Sequence, residues 1–182
     1  MQNHKLRDGN TIPPLGLGTA GLDEQTAELQ VAEAIRRGYR LIDTAVNYEN
    51  EIGVGKGVLR SGVNRKDIFM ISKVPGRDHG FEKTIASVRG SLERMGLDDL
   101  DMVLIHWPNP SQNKYVDTWR GLISLRDEGL VKSIGVSNFL PEHIDRLKEE
   151  TDEYPAANEI ELNPYYQQQE LHHYKTTLIC IA

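Results

Sequence analysis

Short apolar runs alternate with amphipathic stretches along the whole chain. The runs are Leu15–Gly18, Leu41–Thr44, Ile68–Val74, Met102–Trp107, Ser133–Ser137, Asn158–Leu162 and Leu178–Ala182. Most are continuous rather than alternating, the pattern of parallel strands covered on both faces. The stretches between them repeat at helical spacing. Glu24–Arg37 puts Ala27, Val31, Ala34 and Ile35 on one face. Phe81–Met95 does the same with Ile85, Val88, Leu92 and Met95, and Gly96 stops it. Tyr115–Glu128 ends before Gly129, and Pro141 opens Pro141–Glu150 at the first turn, where a missing N–H costs nothing. No linker or low-complexity segment interrupts the series, so residues 1–182 read as a single α/β domain.

Two architectures use such repetition, an open doubly wound sheet and a (β/α)8 TIM-type barrel. Lys5–Arg7 and Thr11–Ile12 flank Asp8-Gly9-Asn10, a hairpin turn ahead of the first repeat. A hairpin can plug one end of a barrel, whereas an open sheet has no need of one.

Composition narrows the classes without naming one. A net charge of -6, with 38% apolar and 26% charged residues, describes an ordinary globular protein and not a nucleic-acid-coating one. No apolar run approaches the ~18 residues of a membrane span, and Met1–Asn10 lacks a signal-peptide core. Cys180 is the single cysteine, which excludes an internal disulfide or thiolate cluster. The expectation is a cytoplasmic protein with no membrane or nucleic-acid partner.

Two glycine motifs invite a nucleotide reading. Gly16-Leu-Gly18-Thr-Ala-Gly21 fits G-x-G-x-x-G, with Asp43 22 residues after Gly21. Its context is poor: Pro13-Pro14 shorten the preceding strand, and Leu22-Asp23 separate the glycines from the helix. Gly53-Val-Gly55-Lys56-Gly57 resembles a phosphate loop without its spacing, and reads better as helix.

In a parallel barrel, chemistry collects at the carboxyl ends of the strands. Those positions hold Asp43, Lys73, His106 and Ser137-Asn138, with Tyr48 on the loop after Asp43. Asp43, Tyr48, Lys73 and His106 make an acid/base set. Tyrosine at its ordinary pKa near ~10 is a poor acid at neutral pH. A lysine cation ~4 Å away contributes roughly 4 kcal/mol at an effective dielectric of ~20, which lowers a phenol by up to about three units before desolvation opposes it. Asp43 would keep Lys73 charged and aimed, and His106 would orient a carbonyl oxygen or share in the proton transfer.

At these residues the sequence closely resembles the aldo-keto reductase family. Gly38-Tyr39-Arg40-Leu41-Ile42-Asp43-Thr44-Ala45, then Glu51 and Val54-Gly55, is similar to the first family signature. Lys132-Ser133-Ile134-Gly135-Val136-Ser137-Asn138-Phe139 is similar to the second. Ile71-Ser72-Lys73, Ile105-His106-Trp107-Pro108 and Leu15-Gly-Leu-Gly-Thr19 match further segments. The resemblance implies a (β/α)8 barrel that reduces aldehydes and ketones with NADPH. It implies Tyr48 as proton donor tuned by Lys73 and Asp43, and His106 orienting the substrate beside Trp107. Ser137 and Asn138 would hold the nicotinamide carboxamide, while Gly18 and Thr19 would line the cofactor's approach.

Three departures qualify that expectation. Glu159 stands where the family usually has Gln at the carboxamide, and an ionised Glu accepts hydrogen bonds without donating them. Ala20 replaces a bulky aromatic found in many members, which widens the substrate pocket. Third, a barrel needs ~250 residues, and the runs here supply at most seven strands. The chain is therefore expected to be a C-terminally incomplete barrel of about six to seven β/α units. Truncation, alternative splicing or a shifted reading frame would produce it. Its open edges suggest an alternative to catalysis, association with itself or with a full-length relative. His172-His173 read as solvated helix-surface residues, and Asp98-Asp99-Leu-Asp101 as a polar turn entering a strand, so no metal site is expected.

Overall fold

A computed structural model describes residues 2–169, 171 and 177–181. Among them a two-stranded hairpin, β1 (His4–Lys5) and β2 (Thr11–Ile12), precedes five β/α units. These comprise β3 (Gly16–Gly18), α1 (Glu24–Arg36), β4 (Leu41–Asp43), α2 (Glu51–Ser61), β5 (Phe69–Val74), α3 (Phe81–Met95), β6 (Leu100–Ile105), α4 (Tyr115–Asp127), β7 (Val131–Ser137) and α5 (Pro141–Thr151). β8 (Ala157–Glu161) and β9 (Thr177–Ile181) follow. The strands from β3 to β9 form one seven-stranded sheet in sequence order, parallel throughout. Order without reversal belongs to the barrel and not to the doubly wound sheet.

Alternation along each strand divides the core in two. Ile42, Met70, Val74, Val103, Ile105, Ile134 and Val136 pack outward against the helices. Leu41, Ile71, Met102, Leu104 and Ala157 point inward and meet Leu6 and Ile12 of the hairpin. The hairpin therefore closes the amino end of the strands, as its turn predicts; Gly9 takes φ 94°, open to glycine without strain. Asn10 Nδ2 donates to Ser133 Oγ at 2.9 Å and ties the plug to β7.

Both glycine motifs resolve as structure. Asp23, not a glycine, caps α1 by accepting from Thr26 N at 2.8 Å. Gly53 and Gly55 sit inside α2 where an added Cβ would lie 2.0 Å from Glu24 O and from Met95 O respectively. They let α2 approach α1 and α3 closely. Among the described residues no helix is long and apolar enough to cross a membrane.

Candidate active site

Period-two alternation fixes what reaches the carboxyl mouth. Asp43 follows the inward Leu41, Lys73 follows Ile71, His106 follows Leu104, and Glu159 follows Ala157. Lys73 and Glu159 are each 1% exposed, and Lys73 Nζ lies 3.1 Å from Glu159 Oε1. Two strands separate β5 from β8 in the sheet, so this contact exists only because the sheet curls into a barrel.

Lys73 also makes a close ion pair with Asp43 Oδ1, and its third interaction is a 3.4 Å approach to Thr44 O. One buried cation thus faces two carboxylates. Burial opposes its charge, but Asp43 and Glu159 together hold its pKa above the ordinary lysine value. Burial raises both carboxylates in turn, with Lys73 opposing the rise. Glu159, whose two oxygens accept no hydrogen bond among the described residues, is pushed up to about 7 by its burial and by Asp43.

Tyr48 ends a single 3-10 turn, Val46–Tyr48, directly after β4. Its backbone N donates to Ala45 O at 3.0 Å. Lys73 Nζ lies 5.3 Å from the centre of its ring, and the His106 ring stands edge-on at 5.8 Å. The expected lowering of the phenol pKa is overturned. Burial raises it, outweighing the lowering by Lys73, and the charges of Asp43 and Glu159 add to the rise. His106 is pushed down to about 4 by burial, with Lys73 adding to the effect, so its imidazole is neutral at neutral pH. Its Nδ1 is buried without a partner among the described residues.

Ser137 and Asn138 are locked beneath the same rim. Asn138 takes a left-handed φ of 61° and donates from its backbone to Glu159 O at 2.9 Å. Its Nδ2 donates to His106 O at 3.1 Å and to Ser137 Oγ at 3.0 Å. The half-buried amide oxygen of Asn138 and the hydroxyl proton of Ser137 are left uncommitted among the described residues. Gly18 leaves open space, with no atom within 4 Å of an added Cβ. Thr19, expected beside it, is fully buried, and its hydroxyl donates to Asp43 O at 3.1 Å. It props Asp43 and presents no surface to a cofactor. Ala20 is exposed, and so is Trp107, at 53%.

Asn50 is a site-shaping residue that the sequence patterns do not single out. Buried at the start of α2, it accepts from Thr44 Oγ1 at 3.0 Å and donates to Thr19 O and Leu22 O at 2.8 and 2.9 Å. It pins the loop after β3 to the turn carrying Tyr48. A polar residue before a helix ordinarily signals a cap, yet this side chain caps nothing.

No group of three metal-ligating side chains converges among the described residues. Asp99 and Asp101 are taken up by Arg65 and Lys132. His172 and His173 lie outside the described residues.

Residues 14–177 match the Aldo/keto reductase family. The chain belongs to that family. It is 50% identical over 163 residues to 2,5-diketo-D-gluconic acid reductase B of Corynebacterium sp. (strain SHS752001), covering 90% of this chain and 59% of that protein. It therefore spans less than two thirds of that relative's length. Among solved structures, an aldo/keto reductase from Brucella melitensis superposes with a TM-score of 0.91 at 47% identity, covering 94% of this chain and 67% of the other. A Bombyx mori aldo-keto reductase in complex with NADP superposes with a TM-score of 0.86 at 35% identity, covering 93% and 61%. The seven parallel strands of this aldo/keto reductase chain superpose on those structures.

Proposed function

We propose that this chain carries the carbonyl-reducing site of an NADPH-dependent aldo-keto reductase acting on small aldehydes or ketones. The observation that carries the reading is the convergence of Tyr48, Lys73, Asp43 and His106 at the carboxyl mouth of a curled parallel sheet. A Bombyx mori relative whose structure holds NADP supports the cofactor. The donor set fits a nicotinamide carboxamide: Asn138 Oδ1 is an acceptor for an amide N–H, and the Ser137 hydroxyl is a donor for the amide oxygen. Glu159, expected as a further acceptor for the amide, is 1% exposed and turned to Lys73 instead.

NADPH, when bound, supplies the hydride that reaches the carbonyl carbon. The chain's residues handle the oxygen. Tyr48 stays protonated through neutral pH, and a developing alkoxide is more basic than a phenolate, so the phenol gives up its proton when that charge forms. Lys73 then stabilises the phenolate. His106, neutral, donates a hydrogen bond to the carbonyl oxygen and aims it at Tyr48. Exposed Trp107 and the short Ala20 side chain bound the substrate. The test is NADPH consumption against small aldehydes and 2-keto compounds. Tyr48→Phe is expected to lose at least about 100-fold in kcat/KM; unchanged turnover in that variant refutes the assignment.

A second reading rests on the sheet's edges. β3 and β9 each lack an outer neighbour among the described residues, and unpaired strand edges of this kind can associate with a second copy. Sedimentation of a strictly monomeric, cooperatively folding species would refute it.

A further inference from the structure

Lys73 has three N–H groups to give. One goes to Asp43, and a second approaches Thr44 O at 3.4 Å. Two groups compete for the last. Glu159 Oε1 is 3.1 Å away, and the Tyr48 ring centre is 5.3 Å away. Glu159 is buried to 1% exposure, and neither of its oxygens accepts a hydrogen bond among the described residues. Among the described residues, Asp43 from β4 and Lys73 from β5 are the charged groups facing it, with Tyr48 behind Lys73. Its registered neighbour on β7, Ser137, brings no titratable group.

We propose that Glu159 is a positioning residue that acts through Lys73, its protonation state deciding whether the third ammonium hydrogen serves Tyr48 or is held by a second carboxylate. With Glu159 ionised, the buried cluster of Asp43, Lys73 and Glu159 carries a net negative charge. The phenolate is then disfavoured by repulsion and by loss of the lysine hydrogen bond. With Glu159 protonated the cluster is neutral, the hydrogen turns to Tyr48, and the carboxylic acid gains an O–H to donate. Proton donation by Tyr48 is therefore strongest below the midpoint of Glu159, which burial places at about 7, and weakens above it. This rests on the carbonyl-reducing reading of the site.

A carbon-13 NMR titration of side-chain carboxyl and tyrosine ring signals in the whole chain, from acid to alkaline pH, tests it. The expected result is one glutamate signal with a midpoint near 7 that Glu159→Gln removes, and a Tyr48 ring signal that moves with the same midpoint. In the reduction assay, kcat/KM of the parent protein falls by about tenfold per pH unit above that midpoint, and Glu159→Gln lacks this limb. A Glu159 signal that titrates in the ordinary carboxylate range overturns the proposal. So does a Tyr48 signal blind to Glu159, or an unchanged limb in the variant. If neither protein reduces carbonyls at any pH, the functional reading fails while the two NMR midpoints still decide this one. If Glu159→Gln does not fold, through-bond assignment in the parent protein decides it.

Discussion

The two ends of the barrel treat buried carboxylates in opposite ways. At the amino end, Asp99 and Asp101 share two cations, and the buried one of the pair is well supplied with donors. Asp101 accepts from Arg65 Nη1 and Lys132 Nζ, each at 2.8 Å, and from Met70 N at 2.9 Å. At the carboxyl end the ratio inverts, since Asp43 and Glu159 share Lys73 and Glu159 accepts no hydrogen bond among the described residues. Glu51, on the outer face of the same sheet, follows the amino-end rule. It is buried and accepts from Ser72 Oγ at 2.7 Å and from Arg94 Nε and Nη2 at 2.8 and 2.6 Å. Surplus donors fix a strand in place. Surplus acceptors around one cation leave protons free to move, and that is where an acid/base site belongs.

Substitutions at the two ends should separate these roles. The largest effect is expected from Lys73→Met, which strips both carboxylates of their cation. Chemical denaturation should report a loss of about 3 kcal/mol at pH 8 and less at pH 5, because the orphaned acids take up protons instead. Asp101→Ala comes next. Leaving Arg65, Lys132 and Met70 N without their acceptor should cost about 2 kcal/mol at either pH, with no effect on any pH profile of turnover.

Glu159→Gln should have the opposite sign. Its folded pKa lies above the unfolded glutamate value, so the parent chain loses stability as pH rises from the unfolded value through about 7. The variant escapes that loss and should be more stable than the parent at pH 8, by up to about 3 kcal/mol if the whole penalty is relieved, with little difference at pH 5. A destabilised variant at pH 8 would break the comparison. The smallest change is expected at Gly18→Ala, where the space for a methyl is open: stability should stay within about 0.5 kcal/mol, while NADPH affinity falls if the cofactor passes there.

Sequence periodicity carried the outer architecture a long way. Phe81–Met95 is observed with the bounds its apolar spacing predicts, and Glu24–Arg36 ends one residue early. Strand starts were less legible where a polar residue serves the base. β6 begins at Leu100 and not Met102 because Asp101 is a strand residue facing Arg65 and Lys132. β7 begins at Val131 because Lys132, also polar, belongs to the same ion-pair group. Asp43, Lys73 and His106 were readable as polar stops at strand ends, and Tyr48 as the tyrosine on the loop after the first of them. Their electrostatics were not, because the Tyr48 shift follows mainly from burial and the charge on Lys73 is shared with Glu159. That residue meets Lys73 only through the curl of strands far apart in the chain, and no local spacing encodes such a contact. Thr19 illustrates the same limit: the family resemblance implied a lining residue, whereas packing turns it under Asp43.

The central claim is that this mouth, as the chain folds it, binds a nicotinamide cofactor for carbonyl reduction. Titration of the purified chain with NADPH, followed by cofactor fluorescence, tests it most directly. Saturable binding that weakens in Asn138→Ala, whose amide oxygen is the uncommitted acceptor at the rim, is the predicted result. A folded chain that shows no saturable binding would contradict it.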